Sequence, residues 1–287
     1  IRNADVAMYR AKQLGTGGFL YYSREMNLRS LERLKTEGGL RHALERNEFL
    51  LHFQPQLELN SGRIIGTEAL LRWNQPGHGM VSPAQFIPVA EETGLIIPIG
   101  EWVIDATCRQ LRTWLDAGLE PVKVAVNLSP RQFSQNLPRT VMGYLQRYQV
   151  PPDLLELEIT ESMLMHNADS VVAMMQEFAD AGIMMSLDDF GTGYSSLSYI
   201  QKFRFDYIKI DASFVRRIGR DTVSSGLINA IIDLGRTLKV RLIAEGVENE
   251  LQFQFLKQHG VQYVQGWLFG KAMPARQFRD FVARQNA

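Results

Sequence analysis

Two adjacent carboxylates, Asp188 and Asp189, end the segment I-M-M-S-L-D-D at residues 183–189, which runs straight into F-G-T-G-Y-S-S. An apolar, strand-like segment that ends on neighbouring acids poses an electrostatic problem. Both acids stay ionised cheaply only with a cation between or beside them. The alternative is a turn whose acids face solvent, and this segment alone does not choose between the two.

The other candidate strands decide it. Each carries a polar residue toward its end: Gln54, Glu68, Asn127, Glu158, Lys209, Glu245 and Gln265. Singly, each has a plain explanation. Glu68 in E-A-L-L-R could sit in a helix, and Asn127 before Leu-Ser-Pro could be a turn residue. Glu158 alternates with Glu156, so one of them could point to solvent. Lys209 could pair with Asp206 or Asp211, Glu245 and Glu248 could flank a solvated turn, and Gln265 could be an edge polar group. Jointly the plain account fails, because that many carboxylates at one place are untenable without metal. The donors are all oxygen, with no Cys and no His, which selects hard divalent cations such as Mg²⁺ or Mn²⁺ over zinc. An aspartate pair able to reach two ions is what a two-metal phosphoester hydrolase needs.

The elements that must position these groups alternate. Apolar strands are expected at 50–56, 64–72, 122–128, 154–160, 183–189, 206–210, 240–246 and 261–265, with amphipathic helices between them. Ser82-Pro83-Ala84-Gln85 and Ser129-Pro130-Arg131-Gln132 read as capped helix starts, and residues 249–252 as a looser version. Residues 168–181 place Val171, Met174, Met175 and Phe178 on one helical face, ended by Gly182. Eight strands with helices between them predict an α/β fold, a (β/α)8 TIM-like barrel whose active site lies at the C-terminal strand ends. Only residues 57–63 separate the first two strands, too few for a parallel crossover, so the first strand is expected antiparallel. Residues 1–27 read as a helix, a glycine turn and a short strand outside this pattern, and residues 28–47 as a charged helix leading into the barrel.

Composition narrows the partners. The 287 residues are 45% hydrophobic, and 31 Lys plus Arg balance 31 Asp plus Glu for zero formal net charge. No basic excess argues for a nucleic-acid polymer or an anionic membrane as the main partner, which leaves a small anionic ligand at one local site. The single cysteine, Cys108, excludes disulfide stapling and suits a reducing cytoplasm. Its helical apolar setting makes it a packed core thiol. No apolar run approaches the ~20 residues of a membrane span. A sequence without an initiator Met or signal pattern is expected to be a cytoplasmic piece of a longer protein, whose parent could be membrane-anchored.

Read in order, Glu68-Ala69-Leu70-Leu71-Arg72, Asn127-Leu128-Ser129, Glu158-Ile159-Thr160-Glu161, Asp188-Asp189-Phe190-Gly191-Thr192-Gly193, Lys209-Ile210-Asp211, Glu245-Gly246-Val247-Glu248 and Gln265-Gly266 resemble the motif series of EAL-domain cyclic di-GMP phosphodiesterases. The resemblance covers residues 28–287. It implies a reversed-strand barrel that hydrolyses one phosphodiester of cyclic di-GMP to linear 5'-pGpG with two Mg²⁺ or Mn²⁺ ions. By that resemblance Glu68, Asn127, Glu158 and Asp188 would bind one metal. Asp188 would bridge to a second, held also by Asp189 and Glu245. Lys209, Glu245 and Glu68 would carry catalysis, Lys209 positioning or deprotonating the attacking water with an ammonium pKa depressed by two neighbouring metals. Gln54, Arg72, Asp211 and Gln265 would contact the ligand, Arg72 through phosphate. Glu248 would stand behind the ligands.

The glycines of the loop after Asp189, Gly191 and Gly193, permit positive φ and suit a lid, with Ser195 beside them and Glu161 as the anchor. In the resembled family this loop couples dimer contacts to metal binding, which implies a homodimer through the barrel and that loop. Residues 1–27 resemble the last helix and strand of a GGDEF diguanylate cyclase domain through Ala4-Asp5-Val6-Ala7-Met8-Tyr9-Arg10-Ala11-Lys12. That implies upstream cyclase-like and sensory domains in the parent. Two rivals are a cyclic di-GMP receptor without turnover and a phosphosugar enzyme. Completeness of the acid and lysine set speaks against the first. Bulky Trp267 and Phe269 where a glycine-rich phosphate site is expected speak against the second.

Overall fold

Asn60, Ser61 and Gly62 reverse the chain between β1 (Phe49–Glu58) and β2 (Ile64–Gln75). Gly62 sits at φ 73°, where a side chain would be strained, and Glu58 N–H donates to Arg63 O at 2.9 Å. The hairpin expected from the short connection is present. The computed structural model describes residues 24–165, 168–191, 203, 205–220 and 222–286. The chain divides into two units, one holding the described residues through Leu50 with Arg72–Ile96, the other Leu51–Leu71 with the described residues from Ile97 onward.

In the first unit, α1 (Arg24–Ala43) packs against α2 (Pro83–Thr93), and β3 (Gly79–Val81) pairs antiparallel with the end of β2. Helix α1 already includes residues 24–27, ahead of the expected 28, and ends four residues before 47. Trp73 is fully buried between Phe49 and Phe86, and its Nε1 donates to Glu48 Oε2 at 2.9 Å. A side chain at Gly39 would come within 2.9 Å of the Trp73 ring, so only glycine fits there. The expected cap at Ser82 is absent: its side chain makes no capping bond, and Pro83 at the first helical position starts α2.

The second unit is the barrel. Its helices are α3 (Ile96–Asp116), α4 (Leu137–Tyr148), α5 (Glu161–Met165), α6 (Ala168–Asp180), α7 (Ala212–Val215), α8 (Thr222–Leu238), α9 (Glu250–His259) and α10 (Ala275–Gln285). Its strands are β1 and β2 with β4 (Lys123–Asn127), β5 (Leu155–Thr160), β6 (Met184–Phe190), β7 (Tyr207–Ile210), β8 (Arg241–Ala244) and β9 (Tyr263–Gln265). They pair in the order β1-β9-β8-β7-β6-β5-β4-β2, and β2 closes back on β1. All pair in parallel except β1, which runs antiparallel to β9. A short β10 (Met273–Pro274) adds to the outer side of β1. All eight expected strands form, with ends shifted by a few residues. The second capped start, at Ser129, is real but caps a single 3₁₀ turn, Pro130–Gln132; the long helix begins only at Leu137. The Asn249 box does start its helix, α9.

Strand alternation sorts the residues. Leu155, Leu157 and Ile159 face outward into the apolar cluster that holds Val171, Met174, Met175 and Phe178 of α6. Glu156 and Glu158, two apart, both face inward and are both buried. Neither points to solvent, which removes the plain alternative left open for one of them. Glu156 meets the Lys123 ammonium in a buried ion pair, and that ammonium lies 3.5 Å from the centroid of the Tyr207 ring. A side chain at Gly66 would lie 2.7 Å from Lys123 Cγ and 3.1 Å from Gln56 Oε1, so glycine makes room for this lower layer. Among the described residues no helix is long and apolar enough to cross a membrane.

Candidate active site at the barrel mouth

One layer above Lys123 and Glu156, Lys209 projects inward from β7 with 0% exposure. Its Nζ lies 2.7 Å from Glu158 Oε2, 2.7 Å from Glu245 Oε1, 3.4 Å from Asp188 Oδ1 and 3.7 Å from Glu68 Oε2. The register brings these groups together: Asn127 is opposite Glu158, and Thr160 opposite Asp188. The E-A-L-L-R segment is strand, so Glu68 points into the barrel beside Ala125 of β4.

One ammonium cannot neutralise four carboxylates, and the proton affinities show it. Burial and then the charges of Glu68, Asp188 and Glu156 hold Glu158 well above the usual carboxylate range, against the pull of Lys209. Burial pushes Glu245 up to about 8, with Asp188 and Glu68 adding to it. Burial also acts to raise Glu68, but Lys209 and the hydrogen bonds from Gln265 and Asn127 outweigh it and leave Glu68 lowered. Burial would lower Lys209, yet Asp188, Glu158, Glu245 and Glu68 drive it well above its ordinary value. The depressed ammonium that the resemblance implies belongs to a lysine beside two metals; the protein groups alone raise it.

The amides complete the layer. Asn127 Nδ2 donates to Glu68 Oε1 at 2.6 Å, and Gln265 Nε2 to Glu68 Oε2 at 2.5 Å. Gln54 Nε2 donates to Gly270 O at 3.3 Å. Asp189 breaks the alternation: pairing between β6 and β7 shifts between Leu187 and Phe190, and Asp189 takes φ 54°. This local bulge lets two consecutive acids serve one end of the strand. Asp189 is exposed, its N–H donates to Asp188 Oδ1 at 2.9 Å, and burial, Asp188 and Asp211 raise its pKa.

Gln54, Glu68, Asp188, Glu245, Glu248 and Gln265 line one cavity of about 230 Å³, together with Arg216 and a Trp267 that is 62% exposed. Arg216 and Trp267 were not among the sequence candidates; only their nearness in sequence to Asp211 and Gln265 hinted at them. Glu248 Oε1 pairs with Arg216 Nε at 3.4 Å. Asp211 caps α7, accepting from Ser213 N–H at 2.9 Å. Glu161 Oε2 accepts from Gly191 N–H at 3.3 Å, with Gly191 at φ 90°. Arg72 lies on β2 in the other unit. Gly193 and Ser195 lie outside the described residues, as do residues 1–23.

The chemistry of the donors suits a hard divalent cation. Glu68, Asn127, Glu158, Asp188, Asp189 and Glu245 offer oxygen only, and Glu158 Oε1 is buried without a partner. Among the described residues no three His, Cys, Asp or Glu side chains already converge as a ligand set. Lys209 stands at the centre of the group, and the Asn127 and Gln265 amides occupy both oxygens of Glu68.

Comparison with known proteins agrees with this geometry. The EAL domain family matches residues 37–272. The bifunctional diguanylate cyclase/cyclic di-GMP phosphodiesterase MucR of Pseudomonas aeruginosa is 45% identical over 282 residues, 98% of this chain and 41% of MucR. The cyclic di-GMP phosphodiesterase PdeR of Escherichia coli is 41% identical over 285 residues, 99% of this chain and 43% of PdeR. The solved c-di-GMP complex of the PaMucR phosphodiesterase superposes with a TM-score of 0.82 at 45% identity, covering 85% of this chain and 99% of that one. The chain thus spans about two fifths of these two full-length relatives. With the family matched across most of its length and the barrel closed as its motifs require, the chain belongs to the EAL-domain family.

Proposed function

We propose that this barrel is a metal-dependent phosphodiesterase that hydrolyses one phosphodiester bond of cyclic di-GMP to linear 5'-pGpG. The observation that carries the reading is the single layer of Glu68, Asn127, Glu158, Asp188 and Glu245 around Lys209. Relatives named for this activity support it.

Phosphodiesterases of this family depend on divalent metal. Here Glu68, Asn127, Glu158 and Asp188 would hold one Mg²⁺ or Mn²⁺, and Asp188, Asp189 and Glu245 a second. When bound, such a pair activates water and neutralises phosphate charge. Lys209, as an ammonium, donates hydrogen bonds that orient the attacking water. Gln54, Asp211 and Gln265 contact the nucleotide, and Glu248 supports the rim through Arg216. Glu161 steadies the chain at Gly191, and Gly193 and Ser195 are the residues that the resemblance adds to this supporting set. The reading includes a homodimer through the barrel and that loop, and a cytoplasmic setting. It also takes residues 1–27 as the end of a GGDEF-like domain in a longer parent.

Incubating the domain with cyclic di-GMP and Mg²⁺ or Mn²⁺, then separating the nucleotides, tests this. Metal-dependent formation of pGpG is expected. Binding of cyclic di-GMP with no pGpG formed would make the barrel a receptor instead.

A further inference from the structure

Gln56 and Gln265 face each other as Cα partners where β1 runs antiparallel to β9. Both side chains point inward, and Gln56 has 0% exposure. The Gln265 amide is engaged at both ends. Its Nε2 donates to Glu68 Oε2 at 2.5 Å and lies 3.4 Å from Gln54 Oε1, while its Oε1 accepts from Gln56 Nε2 at 3.0 Å.

Only one arrangement of these amides satisfies the chain. A carboxylate already accepting from Asn127 can only accept again, so the Gln265 nitrogen must face Glu68. The Gln265 oxygen then faces Gln56, which must donate. Gln56 Oε1 is left buried without a partner. An apolar side chain at this place would bury no such orphan. The compensation is the one bond Gln56 donates.

We propose that Gln56 is a positioning residue for the active site: its Nε2 fixes the rotational sense of the Gln265 amide, and through it the settings of Glu68 and Gln54. Gln56 itself does not line the cavity. Because β1 is reversed, Gln54 stands at the mouth and Gln56 below it, so one strand supplies both a cavity residue and the brace beneath it. The inference rests on the phosphodiesterase reading of this site.

The test uses Gln56→Met, Gln56→Leu, Gln265→Leu and the double variant Gln56→Leu/Gln265→Leu. Readouts are kcat and KM for cyclic di-GMP, and the Mn²⁺ concentration giving half-maximal thermal stabilisation without substrate. Methionine has nearly the length of glutamine and no donor to offer Gln265 Oε1, whereas a glutamate kept protonated by burial would still donate. Gln56→Met is therefore expected to lower kcat by about 10-fold and raise the half-maximal Mn²⁺ concentration by a similar factor, the range for residues behind metal ligands. Gln56→Leu is expected to act in the same direction, and to add nothing further once Gln265 is replaced by leucine. A folded Gln56→Met with wild-type kcat and Mn²⁺ response overturns the proposal, as do fully additive effects in the double variant. If Gln56→Met does not fold, the leucine cycle decides. A wild type that responds to Mn²⁺ but makes no pGpG sinks the activity reading, while the Mn²⁺ comparison still judges Gln56. A wild type indifferent to Mn²⁺ sinks both.

Discussion

Glu161 Oε2 accepts a hydrogen bond from the backbone N–H of Gly191, 30 residues further along the chain, at 3.3 Å. The bond ties the first turn of α5 to the residue just past β6, two residues beyond Asp189. Gly191 is held at φ 90°, and a Cβ there would lie 3.2 Å from the Phe214 ring. Gly191→Ala should therefore destabilise the domain by about 1–2 kcal/mol from backbone strain alone. Glu161→Ala should leave thermal stability nearly unchanged in comparison and reduce pGpG formation at low Mn²⁺ more than at high. Equal loss at all Mn²⁺ concentrations would show that the tie does not reach the metal side.

Lys209→Ala and Glu68→Ala should each abolish turnover, measured as pGpG formed from cyclic di-GMP. Removing Lys209 also leaves Glu158, Glu245, Asp188 and Glu68 without their shared cation. Breaking a buried charge cluster on one side is expected to cost about 3–5 kcal/mol. Lys209→Ala should therefore be stabilised by Mg²⁺ more than wild type is. Near-wild-type rates in either variant would remove that residue from the catalytic set.

The raised Glu245 sets a pH dependence. Its carboxyl titrates near 8 in the folded chain and near the ordinary 4.5 when unfolded. Between those values the folded state binds more protons, so stability contributed by this group is present at low pH and lost as pH rises from about 4.5 to 8. Without divalent ions, the free energy of unfolding measured in urea should fall across that window by an amount on the order of a few kcal/mol, and the midpoint should fall with it. Mg²⁺ should flatten the fall, and its own stabilising effect should be larger at pH 8 than at pH 6. A midpoint that rises with pH in metal-free buffer would contradict the arrangement around Lys209.

The lower layer behaves differently, since its one ammonium has one carboxylate. Lys123→Met leaves Glu156 buried with Tyr207 and no partner, and should cost about 3–5 kcal/mol by chemical denaturation. Replacing Glu156 as well, with Leu, should recover most of that loss. If the single and double variants were equally unstable, packing rather than charge would hold this layer.

Cys108 is buried, and burial together with Asp105 pushes its thiol up to about 12. In the native protein at pH 8 it should resist a thiol reagent over hours and react within minutes after unfolding in guanidinium. Fast native labelling would mean that α3 opens locally.

Much of this was legible in the residues. Buried parallel strands are nearly continuous apolar runs, and polar residues at their ends stand out against them, which is why Glu68, Asn127, Asp188, Lys209 and Glu245 could be picked without coordinates. The same continuity hides the groups that face inward below the mouth. Glu156 was split from Glu158 as if a strand could turn one of them outward, although residues two apart share a face. Lys123 and Gln56 gave no signal, because nothing local shows that two charged or amide groups from distant strands meet inside. Caps misled in a different way. Ser82 and Ser129 carry equivalent local sequences, yet one makes no capping bond and the other caps a single turn, so the local pattern alone does not set the length of the helix that follows.

The left-handed backbone at Asp189 has a practical consequence. Asparagine adopts this conformation at least as readily as aspartate, whereas alanine and β-branched residues do so far less. The second carboxylate can thus be neutralised by exchanging one oxygen for an amide nitrogen with the chain left in place. Charge and conformation are separable dials at this position, and Asp189→Asn turns only the first.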